Sequence, residues 1–386
     1  MNLGGITYNA ASIAARLQPE YQTMLATGMK DDSEESSEFI VKQLGLEPVY
    51  IPDMMREINP IKDYKAYKHL LKLIREFKPD IVHTHAAKAG MVGRLAAWRA
   101  GVPVIVHTYH GHVFHSYFGK VKTRIILAIE RFLGRLSTGI IAISDDQKKE
   151  LGQIYKVASP SKIHVIELGY DLDPFQKDTQ LKREKFRKQY HINEDTIAIG
   201  VIGRLVPIKN LELFINSWKM ISEKYGTKVK GFIIGDGEQR IELQQLCKDL
   251  GLHYSTPEQP DEQAGLVFTS WIYEVDTALA GLDIIALTSY NEGTPASLIE
   301  AQAAGKPIVS TKVGGIANIV IEDETALLVP SGDLQRFSES ISRLIENEDL
   351  RMSMGKTGPQ MALSRFHYDR LTSDIRSLYS LLLSKH

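Results

Sequence analysis

The chain has 386 residues with 46 basic and 47 acidic side chains, a formal net charge of −1 and 43% hydrophobic residues. That is long enough for two domains of ordinary size, and the balanced charge argues against nucleic-acid binding. One cysteine, Cys247, excludes an internal disulfide framework, and no apolar run nears the ~20 residues of a spanning helix, so a reducing, cytoplasmic setting with at most peripheral membrane contact is expected.

In chain order, Met1-Asn2-Leu3-Gly4-Gly5 is followed at once by a helical pattern. Short apolar runs then alternate with longer amphipathic stretches, which predicts α/β units with parallel sheets. In the first half the strand candidates are Tyr21–Thr27, Pro48–Ile51, Asp80–Thr84, Pro103–Thr108, Gly139–Ile143 and Ile163–Glu167. In the second half they are Ile197–Gly203, Val229–Ile234, Leu266–Thr269, Ile284–Leu287, Pro307–Ser310 and Ala326–Val329. Two such series predict two doubly wound domains. A single larger barrel is the alternative, disfavoured because Gly-rich loops follow early strands of each half. The segment Gly169–Lys177 and the charged run Leu181–Tyr190 mark the boundary, and Phe366–Leu383 reads as a terminal helix, giving domains of 1–172 and 173–365 and a last segment 366–386.

Histidines crowd the first half at His83, His85, His107, His110, His112 and His115. Two H-x-H pairs raise a metal site, since alternate strand residues share a face, but no later carboxylate set completes one. Lys88 opens a helix, either solvated or facing a site. Lys120–Leu136 is basic and apolar, either a core-facing helix with a solvated basic face or a segment lying on an anionic membrane. In the second half the strand ending at Gly203 leads to Arg204 and Lys209, two cations able to clamp a diphosphate, or else ordinary loop cations. Gly235-Asp236-Gly237 is a tight turn by itself. Trp271 reads first as core.

The most informative string is Tyr290–Thr311, YNEGTPASLIEAQAAGKPIVST. It follows an apolar run that reads as a buried strand. Gly293 permits a turn, Thr294 is a suitable N-cap, and Pro295 suits the first helical position. A helix start at the carboxyl end of such a strand is an anion site. Glu292 precedes that site, and Glu300 lies about 8 Å along the helix at ~1.5 Å per residue. Two carboxylates on either side of a phosphate site suit the hydroxyls of a sugar and a ribose.

This string resembles the E-x7-E segment of retaining glycosyltransferases of family 4. The resemblance extends through IGRLVPIKN, IIGDGEQR, TYHGHVF, HTHAAKAG and VIELGYDLDPF, over nearly the whole chain. It implies the GT-B fold, two Rossmann-like domains with an interdomain cleft, and a helix crossing back to the first domain. It implies transfer of a sugar from a nucleotide diphosphate, a UDP-sugar being favoured, to a saccharide or lipid-linked acceptor in capsular polysaccharide or lipopolysaccharide synthesis, without metal or other cofactor. By the same resemblance Glu300 takes the ribose and Glu292 the sugar hydroxyls. Gly203, Gly293, Thr294, Arg204 and Lys209 take the diphosphate, Gly235 lies beside the nucleotide, and Trp271 or the Ile272 backbone lies by the base. His110 takes a sugar hydroxyl, and Gly4, Gly5, Lys88 and His112 lie on the acceptor side. Asp171-Leu172-Asp173 spells D-x-D, but in that family the segment lies between domains, and a metal role is rejected. Glu167-Leu168 replaces the family's usual Pro-Asn. Family members also carry a central strand before the glycine pair, so an upstream start or a truncated product is expected, with neighbouring strand edges left unpaired. A nucleotide-sugar 2-epimerase of the same architecture is the alternative, and a metal-dependent hydrolase a more distant one.

Overall fold

The computed structural model describes residues 5–29, 38–55, 57, 59–111 and 120–385, with the side chains of 5, 38–40 and 120–122 excepted. The chain divides into two compact units, one of residues 1–170 with 368–386 and one of residues 171–367.

In the first unit, β1 (Ala26–Gly28) and β2 (Val49–Ile51) form one parallel pair. A separate parallel sheet has the order β3 (Ile81–His85), β4 (Val104–Tyr109), β5 (Gly139–Ala142) and β6 (Ile163–Val165). β1 and β3 each have a strand partner on one side only among the described residues. Of the expected strand Tyr21–Thr27 only its end is extended. The Tyr21 amide still donates to the Leu17 carbonyl and the Thr23 hydroxyl to that of Ala14, so this stretch finishes the helix Gly5–Arg16. β4 and β5 are buried throughout, as parallel strands covered on both faces require.

The helix Tyr368–Leu383 belongs to this unit. It buries Tyr368, Leu371, Ile375, Leu378, Tyr379 and Leu382, one helical face, against Ile13, Leu17, Val104, Val106 and Ile141. The C-terminal segment therefore supplies half of that core cluster.

The second unit is one seven-stranded parallel sheet. Its strands are β7 (Ile197–Ile202), β8 (Val229–Ile234), β9 (Tyr254–Ser255), β10 (Leu266–Ser270), β11 (Ile284–Leu287), β12 (Ile308–Thr311) and β13 (Ala326–Val329). The order is β13-β12-β11-β7-β8-β10-β9. Sequence reasoning missed β9, whose two residues carry no periodic signal. The chain runs outward from β7 through β8, then crosses back to β11 on the other side. The carboxyl ends of β7 and β11 therefore flank a topological switch point, where open α/β sheets bind ligands.

Candidate active site

The loops leaving β7, β8 and β11 are tied to one another by backbone. The Gly203 amide donates to the Ile234 carbonyl at 3.0 Å, and the Leu205 amide to Asp236 at 3.0 Å. Gly235 has φ +134°, and a Cβ there would lie 2.0 Å from the Gly203 carbonyl oxygen, so only glycine lets the two loops meet. From the other side the Tyr290 amide donates to Ile208 at 2.9 Å, and the Thr288 hydroxyl to the Lys209 carbonyl at 2.8 Å. Behind the Glu292 loop, the Gly315 amide donates to the Glu292 carbonyl at 2.9 Å.

This scaffold brings Lys209 and Glu292 together across 83 residues: Nζ lies 2.5 Å from Oε1. The Ser289 hydroxyl donates to the same oxygen at 2.6 Å. Ser289 was missed in the sequence, although a serine three residues before the glutamate is a local signal of this kind. The Glu292 side chain is 11% exposed and that of Lys209 23%, so the pair is only partly screened by solvent. Arg204 is exposed, and among the described residues its guanidinium has no hydrogen-bond or ion-pair partner.

The helix after β11 spans Ala296–Ala303, later than expected. Pro295 is its N-cap, with extended φ −69° and ψ 112° and no side-chain cap bond, so Thr294 does not cap it. The Leu298 amide makes the first-turn bond to the Pro295 carbonyl at 3.2 Å. The amides of Ala296 and Ser297 precede it without a side-chain cap, which leaves donors for an anion. Glu300, one turn inside, is partly exposed, and its carboxylate accepts no hydrogen bond among the described residues. Burial, and then the negative charge of Asp276, push its pKa up to about 7. Trp271 is not core: at 49% exposure it stands just beyond β10, where Ser270 turns the chain with φ +59°. Ile272 beside it is half-buried.

In the first unit, His110 follows β4 and is half-buried. Its Nε2 lies 2.9 Å from Nδ1 of His85. His83 has both ring nitrogens engaged, Nδ1 with the Tyr379 hydroxyl and Nε2 with that of Thr108, each at 2.7 Å. His107 Nδ1 lies 2.9 Å from the Thr84 hydroxyl. Burial pushes His83 down to about 3 and His110 to about 4, and lowers His85 and His107 well below the ordinary range, so these rings are neutral near pH 7. Among the described residues, no three of these histidine rings bring their nitrogens into metal-ligand spacing.

Lys88 is neither solvated nor free: it pairs with Asp63 at 2.5 Å and donates to the Glu57 carbonyl. Gly5 opens the first helix, while Gly4, His112 and His115 lie outside the described residues. Among the described residues one group has metal-ligand spacing, Asp171, Asp173 and His367, with ligand atoms within 4.8 Å of one another. There the His367 ring already lies 3.3 Å from an Asp173 oxygen.

Residues 182–361 match the family model described as glycosyl transferases group 1, and residues 3–174 that of glycosyltransferase family 4. The chain is 30% identical over 332 residues to the UDP-Gal:alpha-D-GlcNAc-diphosphoundecaprenol alpha-1,3-galactosyltransferase of Escherichia coli, covering 86% of this chain and 82% of that protein. It is 27% identical to the capsular polysaccharide biosynthesis glycosyltransferase CapM of Staphylococcus aureus, over 89% of this chain and 88% of that one. Among solved structures, Anabaena HepE in complex with UDP superposes with a TM-score of 0.80 at 19% identity, over 98% of this chain and 96% of the other.

Proposed function

From the chain's membership of the group 1, family 4 glycosyltransferases, and from their GT-B fold, we propose that it moves a sugar from a UDP-sugar to a hydroxyl of a saccharide or lipid-linked acceptor with retention of configuration. The observation that carries this reading lies at the switch point: the Lys209–Glu292 pair sits just before an uncapped helix start, with Glu300 one turn inside it. The open amides, Arg204 and Lys209 hold the diphosphate, and Glu300 accepts from the ribose diol. Glu292 accepts from donor-sugar hydroxyls, and exposed Trp271 with the Ile272 backbone serves the base. His110 donates to or accepts from a sugar hydroxyl.

Glu292 is held by a cation and a serine, and the reading gives it no covalent role. The acceptor oxygen forms its bond to the anomeric carbon on the face from which the diphosphate oxygen departs. That oxygen takes the electron pair of the broken bond and then the acceptor proton. Arg204 and Lys209 offset the charge that grows on it. No metal enters this scheme. Calorimetry with UDP, GDP and ADP, with and without EDTA, tests it. UDP should bind at least about tenfold more tightly than the others, a difference of ~1.4 kcal/mol, and EDTA should change nothing. Preference for GDP or ADP, or loss of binding in EDTA, would refute the donor or the metal-free scheme.

The membrane-facing part of the reading rests on the helix Lys120–Leu136. Its inward side buries Glu130 and Leu133, but Ile125, Ile129 and Phe132 are 57%, 40% and 47% exposed, beside exposed Arg124, Arg131 and Arg135. The outer face is thus not simply a solvated basic one. Each half-exposed apolar side chain contributes on the order of 1 kcal/mol on transfer to lipid, and each arginine about 1 kcal/mol near an anionic surface. The sum suits reversible peripheral binding. Flotation with vesicles containing anionic lipid should recover the protein, and Ile129→Glu with Phe132→Glu should abolish recovery. Failure of the unaltered protein to float would count against this face.

A further inference from the structure

Cross-strand register explains why two histidines meet at the end of β3 and β4. His85 pairs with Thr108, and His110 lies two residues beyond Thr108, so both imidazoles come to the same side. Their shared contact, His85 Nδ1 to His110 Nε2 at 2.9 Å, holds one proton, because two neutral imidazoles bond only as one donor and one acceptor. Whichever ring donates, the other is fixed as the complementary tautomer, and the Nδ1 atom of His110 takes the remaining role.

The inner ring is itself held. The His83 ring lies against that of His85, centroids 4.3 Å apart and planes tilted by 32°, and is fixed at both nitrogens by Tyr379 and Thr108. Tyr379 is buried on the helix Tyr368–Leu383, so this ring pair is anchored in that unit's core. His85 therefore has little freedom to turn away from His110.

We propose that His85 is a positioning residue that locks His110 in one neutral tautomer and one orientation, presenting Nδ1 of His110 to the substrate. The inference rests on the reading above that His110 contacts the donor sugar. The hydroxyl of a sugar accepts or donates, so a ring of undefined tautomer binds it in two ways, and only one leaves the sugar in the reactive pose. The lock acts on the probability of that pose, and its loss falls on turnover rather than on nucleotide binding.

The test uses the full chain with histidine ring nitrogens labelled with 15N, the His110 signals being assigned by their loss in His110→Ala. In the unaltered protein the two His110 nitrogens should show the well-separated shifts of a single tautomer. In His85→Phe they should move toward the average of the two. Averaged shifts in the unaltered protein would overturn the proposal without any variant. In transfer assays His85→Phe should lose about tenfold in kcat, with donor KM within about threefold, as for a lost orienting partner. His85→Asn, whose amide stands near the place of Nδ1, should recover most of that loss. If His110→Ala leaves transfer unchanged, the reading of His110 itself fails. If His110→Ala impairs transfer but His85→Phe, shown folded by its thermal melt, does not, the positioning role is overturned and the reading of His110 stands.

Discussion

Lys209→Met is expected to lower kcat by about 10²–10³, the loss seen when one preorganised stabiliser of developing negative charge is removed. The charge on the departing diphosphate is larger in the transition state than in the bound donor, so the effect on kcat should exceed that on donor KM. A second consequence follows from the 2.5 Å contact with Glu292. Without Lys209 the largely buried carboxylate keeps only the Ser289 hydroxyl, and its charge is repelled by the donor phosphates. The double variant Lys209→Met/Glu292→Gln should therefore lose less than the product of the two single losses. Steady-state kinetics on the three variants, each with a melt to show folding, measures this. A fall in kcat of less than about tenfold for Lys209→Met would remove this lysine from leaving-group stabilisation.

Nucleotide affinity should depend on pH through Glu300. The carboxyl is raised to about 7 in the free protein, and the ribose diol needs an acceptor, so binding favours the ionised form. Below pH 7 the apparent dissociation constant should rise, approaching about tenfold per pH unit. Stability runs the other way. A folded pKa above the unfolded value means that this group's contribution is fully present below pH 4.5 and is lost as pH rises through 7. Glu300→Gln should accordingly melt higher than the unaltered protein at pH 8, bind UDP about 10–100-fold more weakly there, and lose the pH dependence that belongs to this site. Comparing the two proteins by calorimetry from pH 5.5 to 8.5 cancels the titration of the UDP phosphate itself. Parallel pH profiles for both would dismiss Glu300 as the ribose acceptor.

Much of the second unit was legible because strands buried on both faces read as unbroken apolar runs. Ile284–Leu287 and Ala326–Val329 are such runs and have the predicted bounds, as does Val229–Ile234 despite Lys230 within it. The switch-point residues were legible as a motif, but the contact between Lys209 and Glu292 was not, since 83 residues separate them. The same reason hid the pairing of Lys88 with Asp63 and of His85 with His110: strand register and loop closure, rather than local pattern, bring these atoms together. Trp271 was misjudged because size and apolarity argue for burial, whereas the positive φ of Ser270 turns the chain outward. The cap of the helix Ala296–Ala303 was misplaced because Pro295 takes an extended ψ, which composition does not reveal.

The discontinuous make-up of the first unit sets an order of events during synthesis. Its strands leave the ribosome early, yet half of the cluster beneath β4 and β5 comes from residues 368–382. Residues 171–367 are contiguous and can close their sheet first. At ~5–20 residues per second the nascent first unit waits roughly 10–40 s for its missing helix, with the apolar face under β4 open to chaperones throughout.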